Sequence, residues 1–322
     1  MRLSELIAPR LRLALLLGLI GVIAVGLVLR GGSSADGTRA AADAKRRAAL
    51  VPRARLTPGT RAELTRELRI SQIERNGRLG VYVQPLEGGP AYAYGPLQSG
   101  RTWSVIKVPL VVAYLKWRAD ANGVRNGSRV LTTLERNEIE QTIRDSDNRA
   151  ARQLYDHMAL RFGLSGADAR IEEVFDSAGE TGITIPKTGL HAFGTTTWRL
   201  SDAVDLFRAL NDGELASRAD TRYVLRLMSR ISDRDSWGLK LAYGPHAPVA
   251  FKGGWGPNGA QWDLEQVGIV GHGDSGYVIA IMFHTNGNSP IRDAFLAGRS
   301  MFNAVASIIA EQIPATSSNG PS

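Results

Sequence analysis

Residues 101–117 read RTWSVIKVPLVVAYLKW, a polar entry into a long apolar stretch with one serine, Ser104, and one lysine, Lys107, three positions apart. On a helix, residues at that spacing share a face, so the amine of Lys107 can reach the hydroxyl of Ser104. At a helix start the exposed N–H groups and the positive dipole end favour negative charge on a serine oxygen. The same field, with burial beneath an apolar helix, lowers a lysine pKa toward that of a usable base. Pro109 is tolerated in a first helical turn, which places the helix start here. The same letters also describe the polar collar of a core helix, and the pair alone does not choose between the two readings.

Outward from this stretch the element types change twice. Upstream, a helix is expected around residues 60–75, followed by LGVYVQPLE (79–87) and AYAYG (91–95), two short aromatic and β-branched runs split by Gly-Gly-Pro that read as a hairpin. Downstream, residues from about 104 to 230 are mostly helical in pattern. Strand character then returns in PVAFKGG (248–254), DLEQVGIVG (263–271) and GYVIAIMFH (276–284), and a helix closes the chain near 291–313. Two strands, many helices, three strands and a last helix form an α+β order. It predicts a five-stranded antiparallel sheet with the N- and C-terminal helices on one face and an all-helical lobe on the other.

The N-terminal segment points to the envelope. Arg2, Arg10 and Arg12 precede an uncharged apolar run at residues 13–29, closed by Arg30. Its length suits a short membrane-spanning helix and exceeds a usual signal-peptide core. The basic flank is expected to stay cytoplasmic and the rest of the chain to lie outside. If Ser33-Ser34-Ala35 is cut, the product is secreted. Residues 1–30 are thus read as a cytoplasmic stub and anchor, 31–58 as a flexible basic linker, and 59–322 as the folded domain with a frayed tail.

Composition removes other classes. The formal charge of +8 is scattered, and no basic run is interleaved with aromatics, which argues against nucleic-acid binding. The absence of cysteine excludes disulfides, thiolate metal sites and a lipid-modified cysteine. The five histidines show no metal spacing, and no cofactor fingerprint survives inspection. GHGDSG (271–276) spells a dinucleotide motif, yet strand patterns flank it on both sides, so it reads as a hairpin turn.

Two further motifs join Ser104-x-x-Lys107. RDSDNRAARQLY (144–155) carries Ser146-Asp147-Asn148 before a helix, where each residue type also suits an N-cap. VAFKGGWGP (249–257) sets Lys252-Gly253-Gly254 on a strand entering a turn. In this order the three resemble the Ser-x-x-Lys, Ser-Asp-Asn and Lys-[Thr/Ser]-Gly signature of the serine β-lactamase and penicillin-binding protein superfamily, nearest its class A-like hydrolases. The resemblance runs from about residue 60 to 313. GTTTWRLSDAVDLFRAL (194–210) is similar to the segment after the active-site loop of class A enzymes.

The resemblance implies a β-lactamase/transpeptidase-like fold and an acyl-enzyme mechanism without a cofactor. Its substrate would be a small molecule or cell-wall peptide. Ser104 would be the nucleophile and Lys107 its base. Ser146 would relay a proton to the leaving nitrogen, Asn148 would hold the substrate amide, and Lys252 would meet the substrate carboxylate. Gly253 and Gly254 allow close approach, and the N–H groups of Ser104 and Trp255 would form the oxyanion hole. Two departures qualify it. Gly253 stands where the family carries a hydroxyl, leaving Arg234 or Lys240 as candidates to replace it. The water-activating Glu-x-x-Leu-Asn is also absent, with Glu180 the best-placed remaining carboxylate, ahead of Glu172 and Glu173. Lys187-Thr188-Gly189 spells the third motif but comes too soon after Ser146. Asp235, Trp237 and Lys240 either line the cleft or cap and pack a helix–strand connection.

Overall fold

The computed structural model describes residues 56–75, 77–186, 192–272, 276–287 and 291–315, all within one compact unit, Pro52–Ser322. The apolar run at 13–29 and Lys187-Thr188-Gly189 lie outside the described residues, as does most of the proposed linker. Among the described residues no helix is long and apolar enough to cross a membrane.

The described part of the chain opens with helix α1 (Pro58–Arg75), then strands β1 (Gly77–Pro85) and β2 (Tyr92–Tyr94). The late strands are β5 (Val249–Asn258), β6 (Gln261–Val270) and β7 (Tyr277–Thr285), and helix α8 (Ile291–Gln312) ends the described chain. These five strands form one antiparallel sheet in the order β2-β1-β7-β6-β5. Strands β6 and β7, which flank GHGDSG, pair from Val270↔Tyr277 onward; residues 273–275 of that turn lie outside the described residues. In β7 every residue except His284 is buried, because both faces of the sheet are covered. An antiparallel strand sandwiched on both sides loses the usual alternation and reads as a nearly continuous apolar run.

On one face α1 and α8 bury Leu64, Leu68, Phe302, Val305 and Ile309 against Leu79, Val81, Ile279 and Ile281. On the other lies the helical lobe: α2 (Lys107–Ala121), α3 (Thr133–Arg144), α4 (Asn148–Ser177), α5 (Leu200–Asp212) and α6 (Arg218–Met228). A short α7 (Leu239–Tyr243) leads into β5. Helix α2 is buried on nearly all sides from Lys107 to Leu115, as an all-round apolar helix must be. Val267, Ile269, Val278, Ala280 and Met282 extend its core onto the sheet.

Two features differ from the sequence expectation. Strands β3 (Ser99–Arg101) and β4 (Thr197–Arg199) form a separate two-stranded ladder. Three residues are too few to show a period of two. Within α4, Gly163 breaks the helix at φ 74°, ψ 167°, a conformation that glycine adopts without the penalty of a Cβ.

Candidate active site

The helix predicted to start at Ser104 starts instead at Lys107. Ser104 occupies a preceding 3-10 turn, Trp103–Ile106, and Pro109 falls in the first turn of α2 as expected. Trp103 holds φ 42°, the left-handed region, which costs a bulky residue about 1–3 kcal/mol and persists only where its surroundings impose it. The surroundings are β4's neighbour and β5. Thr102 N–H donates to Thr196 O at 2.8 Å, and β5 packs against the turn. A Cβ on Gly254 would sit 2.6 Å from Ser104 N, and one on Gly256 would sit 2.2 Å from the Trp103 ring. Both glycines are therefore required by the approach of strand to turn. Gly253 is not: a Cβ there would meet nothing nearer than Gln266 Cγ at 3.5 Å.

Across the cleft, Ser146 precedes α4 at φ 52°, again left-handed. Asp147 is the N-cap, its carboxylate accepting from Ala150 N at 2.7 Å. The capping role read from the sequence is thus real, and it belongs to the middle residue. Its neighbours are left to face two lysines. Lys107 Nζ donates to Ser146 O at 2.5 Å, Asn148 Oδ1 at 2.7 Å and Ser146 Oγ at 3.3 Å. Lys252 Nζ donates to Ser146 Oγ at 2.8 Å and to Gly253 O at 2.7 Å. Three motifs, with Lys107 lying 39 residues before Ser146 and Lys252 lying 106 after it, therefore converge on one hydroxyl. Among the described hydrogen bonds none joins Ser104 Oγ to Lys107, whose donors are turned to the second motif.

Both lysines are almost completely buried. Burial brings Lys107 down from the usual lysine range to about 8, against the opposing pull of Asp147 and Asp235. Burial also drives Lys252 well below that range, and the charge of Lys107 pushes it further. Asp235 is buried too and acts on both amines; Arg234 binds its carboxylate at 3.0 Å and donates to Asp145 O at 2.5 Å. Asp235 thus belongs to the cleft's electrostatics. Trp237 instead packs against Trp255 and Phe302, and Lys240 donates to Pro245 O at 3.2 Å. The Trp255 side chain joins that aromatic packing through Trp237 and Phe295, so only its backbone is placed to serve the cleft.

Glu180 has different company. It follows α4, and burial followed by the charges of Asp202 and Asp205 raises its carboxyl to about 7. It lines a cavity of about 600 Å3 with Arg101, Thr197, Asp202, Asp263 and His284, to which Ser104, Lys107 and Ser146 do not contribute. Among the described hydrogen bonds none links Glu180 to the Ser104 cluster. Glu172 accepts from Ile185 N at 2.8 Å and Glu173 pairs with Lys116 at 3.0 Å, so both serve the lobe's structure.

A sheet flanked by terminal helices, with a lobe that brings a serine turn and two buried lysines to its edge strand, defines a serine hydrolase of the β-lactamase/transpeptidase fold. The chain belongs to the β-lactamase enzyme family, whose family model matches residues 62–313. It is similar to the β-lactamase from Streptosporangium roseum, at 18% identity and TM-score 0.61, covering 78% of this chain and 98% of that one. It is similar also to the class A β-lactamase from Mycobacterium abscessus, at 18% identity and TM-score 0.61, covering 78% of this chain and 100% of the other. A PBP-A mutant in an acyl-enzyme complex with penicillin G aligns at 22% identity and TM-score 0.58, covering 78% of this chain and 95% of that one. At these identities the likeness concerns the fold. No curated protein sequence matches the chain.

Proposed function

We propose that this protein is a cell-envelope serine hydrolase that opens an amide or ester, of the D-alanyl peptide or β-lactam type, through an acyl-enzyme on Ser104. The observation that carries the reading is the meeting of Lys107 and Lys252 on Ser146 Oγ beside the Ser104 turn. Neutral Lys107 takes the Ser104 proton as Ser104 Oγ attacks the substrate carbonyl. The proton passes through Ser146 Oγ to the leaving nitrogen as the C–N bond breaks, so the amine regains its starting state. The developing oxyanion is held by the N–H groups of Ser104 and Trp255. Among the described strands β5 is a sheet edge, so alternate N–H groups along it have no partner among those strands.

Arg234 supplies positive charge for a substrate carboxylate, and Lys252 meets that carboxylate as a hydrogen-bond donor. Arg234 is exposed, and its charge acts on both buried lysines, which favours it over Lys240 as the replacement for the missing hydroxyl at Gly253. Asn148 holds the substrate amide. Deacylation of a β-lactam adduct is slow, because Glu180 is engaged with Asp202 and Asp205 instead of the Ser104 side. The acyl-enzyme with penicillin G formed by the PBP-A mutant is in keeping with this chemistry. Residues 13–29 anchor the domain outside the membrane, with the arginines before them inside. Protease added to intact spheroplasts is expected to remove the domain; full protection overturns the topology.

The test of the chemistry is covalent labelling by a fluorescent penicillin, located by mass spectrometry, in the wild type and in Ser104→Ala. Labelling at Ser104 that disappears in the variant is expected. A second reading, a binding protein that keeps the fold without turnover, is favoured by the hydroxyl missing at Gly253. Failure of several acyl donors to label Ser104 selects it. Sustained penicillin hydrolysis abolished by Glu180→Gln makes the protein a true β-lactamase instead.

A further inference from the structure

A second cavity, of about 460 Å3, opens where β5 begins and β6 ends, beside the C-terminal end of α6. Its floor is apolar, made by Leu225, Ala250 and Ile269. Its rim carries Arg226 and Arg230, both exposed, and Lys240. Among the described residues no carboxylate lines it, and no described ion pair includes any of these three cations. Among the described hydrogen bonds, Lys240 Nζ donates to the carbonyl of Pro245 alone.

Arginines at a helix C-terminus are ordinary, since they complement the dipole and the last carbonyls. That explains Arg226 and Arg230. It does not explain why α7 brings a third cation to the same rim, over an apolar floor, with no anion to balance them. Like charges gathered along one rim repel one another, and a bound anion removes that cost. Guanidinium forks suit phosphate oxygens, and a phosphomonoester near −2 matches three cations better than a single carboxylate does. The cavity falls within the size range of small-molecule sites, larger than one oxyanion fills, and its floor would bury an apolar group.

We propose that this cavity is a second binding site, separate from the Ser104 site, for a small phosphomonoester carried on an apolar body. The probe is phenyl phosphate, titrated calorimetrically at constant ionic strength, with inorganic phosphate, phenol and benzoate as comparisons. One phenyl phosphate per chain is expected, bound at least about tenfold more tightly than each comparison compound. Arg226→Gln with Arg230→Gln should weaken it by about tenfold or more, and Lys240→Gln should weaken it as well. Arg222→Gln, an exposed change on α6 away from the cavity, should leave it unaltered, as should Lys252→Ala; melting curves establish that each variant is folded. Inorganic phosphate binding as tightly as phenyl phosphate would overturn the proposal, as would equal loss in Arg222→Gln. So would binding that vanishes in Lys252→Ala yet survives the rim variants, since it would place the ligand at Ser104.

Discussion

The lysine pair and the Glu180 carboxylates are both clusters of like charges held partly or wholly out of water, yet they are built differently. Lys107 and Lys252 have a neutral hydroxyl between them, a backbone carbonyl each, and a buried carboxylate, Asp235, behind both. Glu180 has Asp202 and Asp205, which add to its desolvation. The first arrangement lowers an amine pKa while giving Lys107 three acceptors and Lys252 two, and it sits against the Ser104 turn. The second makes a carboxyl hold its proton near neutral pH and sits on another cavity. Perturbed titration alone therefore does not mark the chemistry; the shared hydroxyl and the adjoining nucleophile do.

The largest effect should come from the lysine side. Lys107→Ala is expected to slow acylation of Ser104 by about 100-fold or more, the range for a positioned general base, in a stopped-flow assay with a reactive penicillin. A loss under about fivefold would remove Lys107 from that role and dissolve the contrast. The pH profile sharpens it. Because the neutral amine is the reactive form and burial holds Lys107 near 8, the acylation rate should climb about tenfold per unit below pH 8 and level above it. A flat profile between pH 6 and 9 would contradict that.

A smaller effect is expected at Gly253. The space around it admits a Cβ, so Gly253→Thr should fold normally and restore a hydroxyl to the third motif. One added hydrogen bond to a substrate carboxylate is worth about 1 kcal/mol, which lowers KM for a carboxylated substrate roughly fivefold with little change in kcat. A collapsed melting temperature would show that the glycine is needed for the backbone after all.

The smallest catalytic effect should follow Glu180→Gln, with acylation changing less than about threefold. Its stability should respond instead. A carboxyl raised to about 7 in the fold binds its proton more tightly there than in the unfolded chain, so its stabilising effect is present at acid pH and fades as pH rises through that value. Glu180→Gln should thus melt higher than wild type at pH 8 by about 2–4 °C, the response to ~1 kcal/mol in a domain of this size, with the difference shrinking at pH 5. The opposite pH order would show that Glu180 is ionised and satisfied in the fold.

Some of this was legible in the residues and some was not. The five strands of the main sheet showed as apolar or aromatic runs bounded by Gly and Pro, while β3 and β4 were too short to show any period. Asp147 was readable as a cap, but nothing local said that capping by the middle residue would free Ser146 and Asn148 to face Lys107. Gly253 and Gly254 are identical letters side by side. Only the approach of Ser104 N to one of them separates a glycine the fold needs from one it tolerates. Glu180 was singled out by its place along the chain, and its partners come from α5, beyond the reach of any local pattern.

By itself the sequence determined the order of the motifs, the kinds of element that carry them and the apolar segment ahead of them, because periodicity, capping and turn preference act between residues a few positions apart. The tertiary structure alone decided that two lysines share Ser146 Oγ, that Asp235 stands behind them and that Glu180 faces other carboxylates. Those outcomes depend on distances between residues far apart in the chain, and such distances are set when the helical lobe closes against the edge of the sheet.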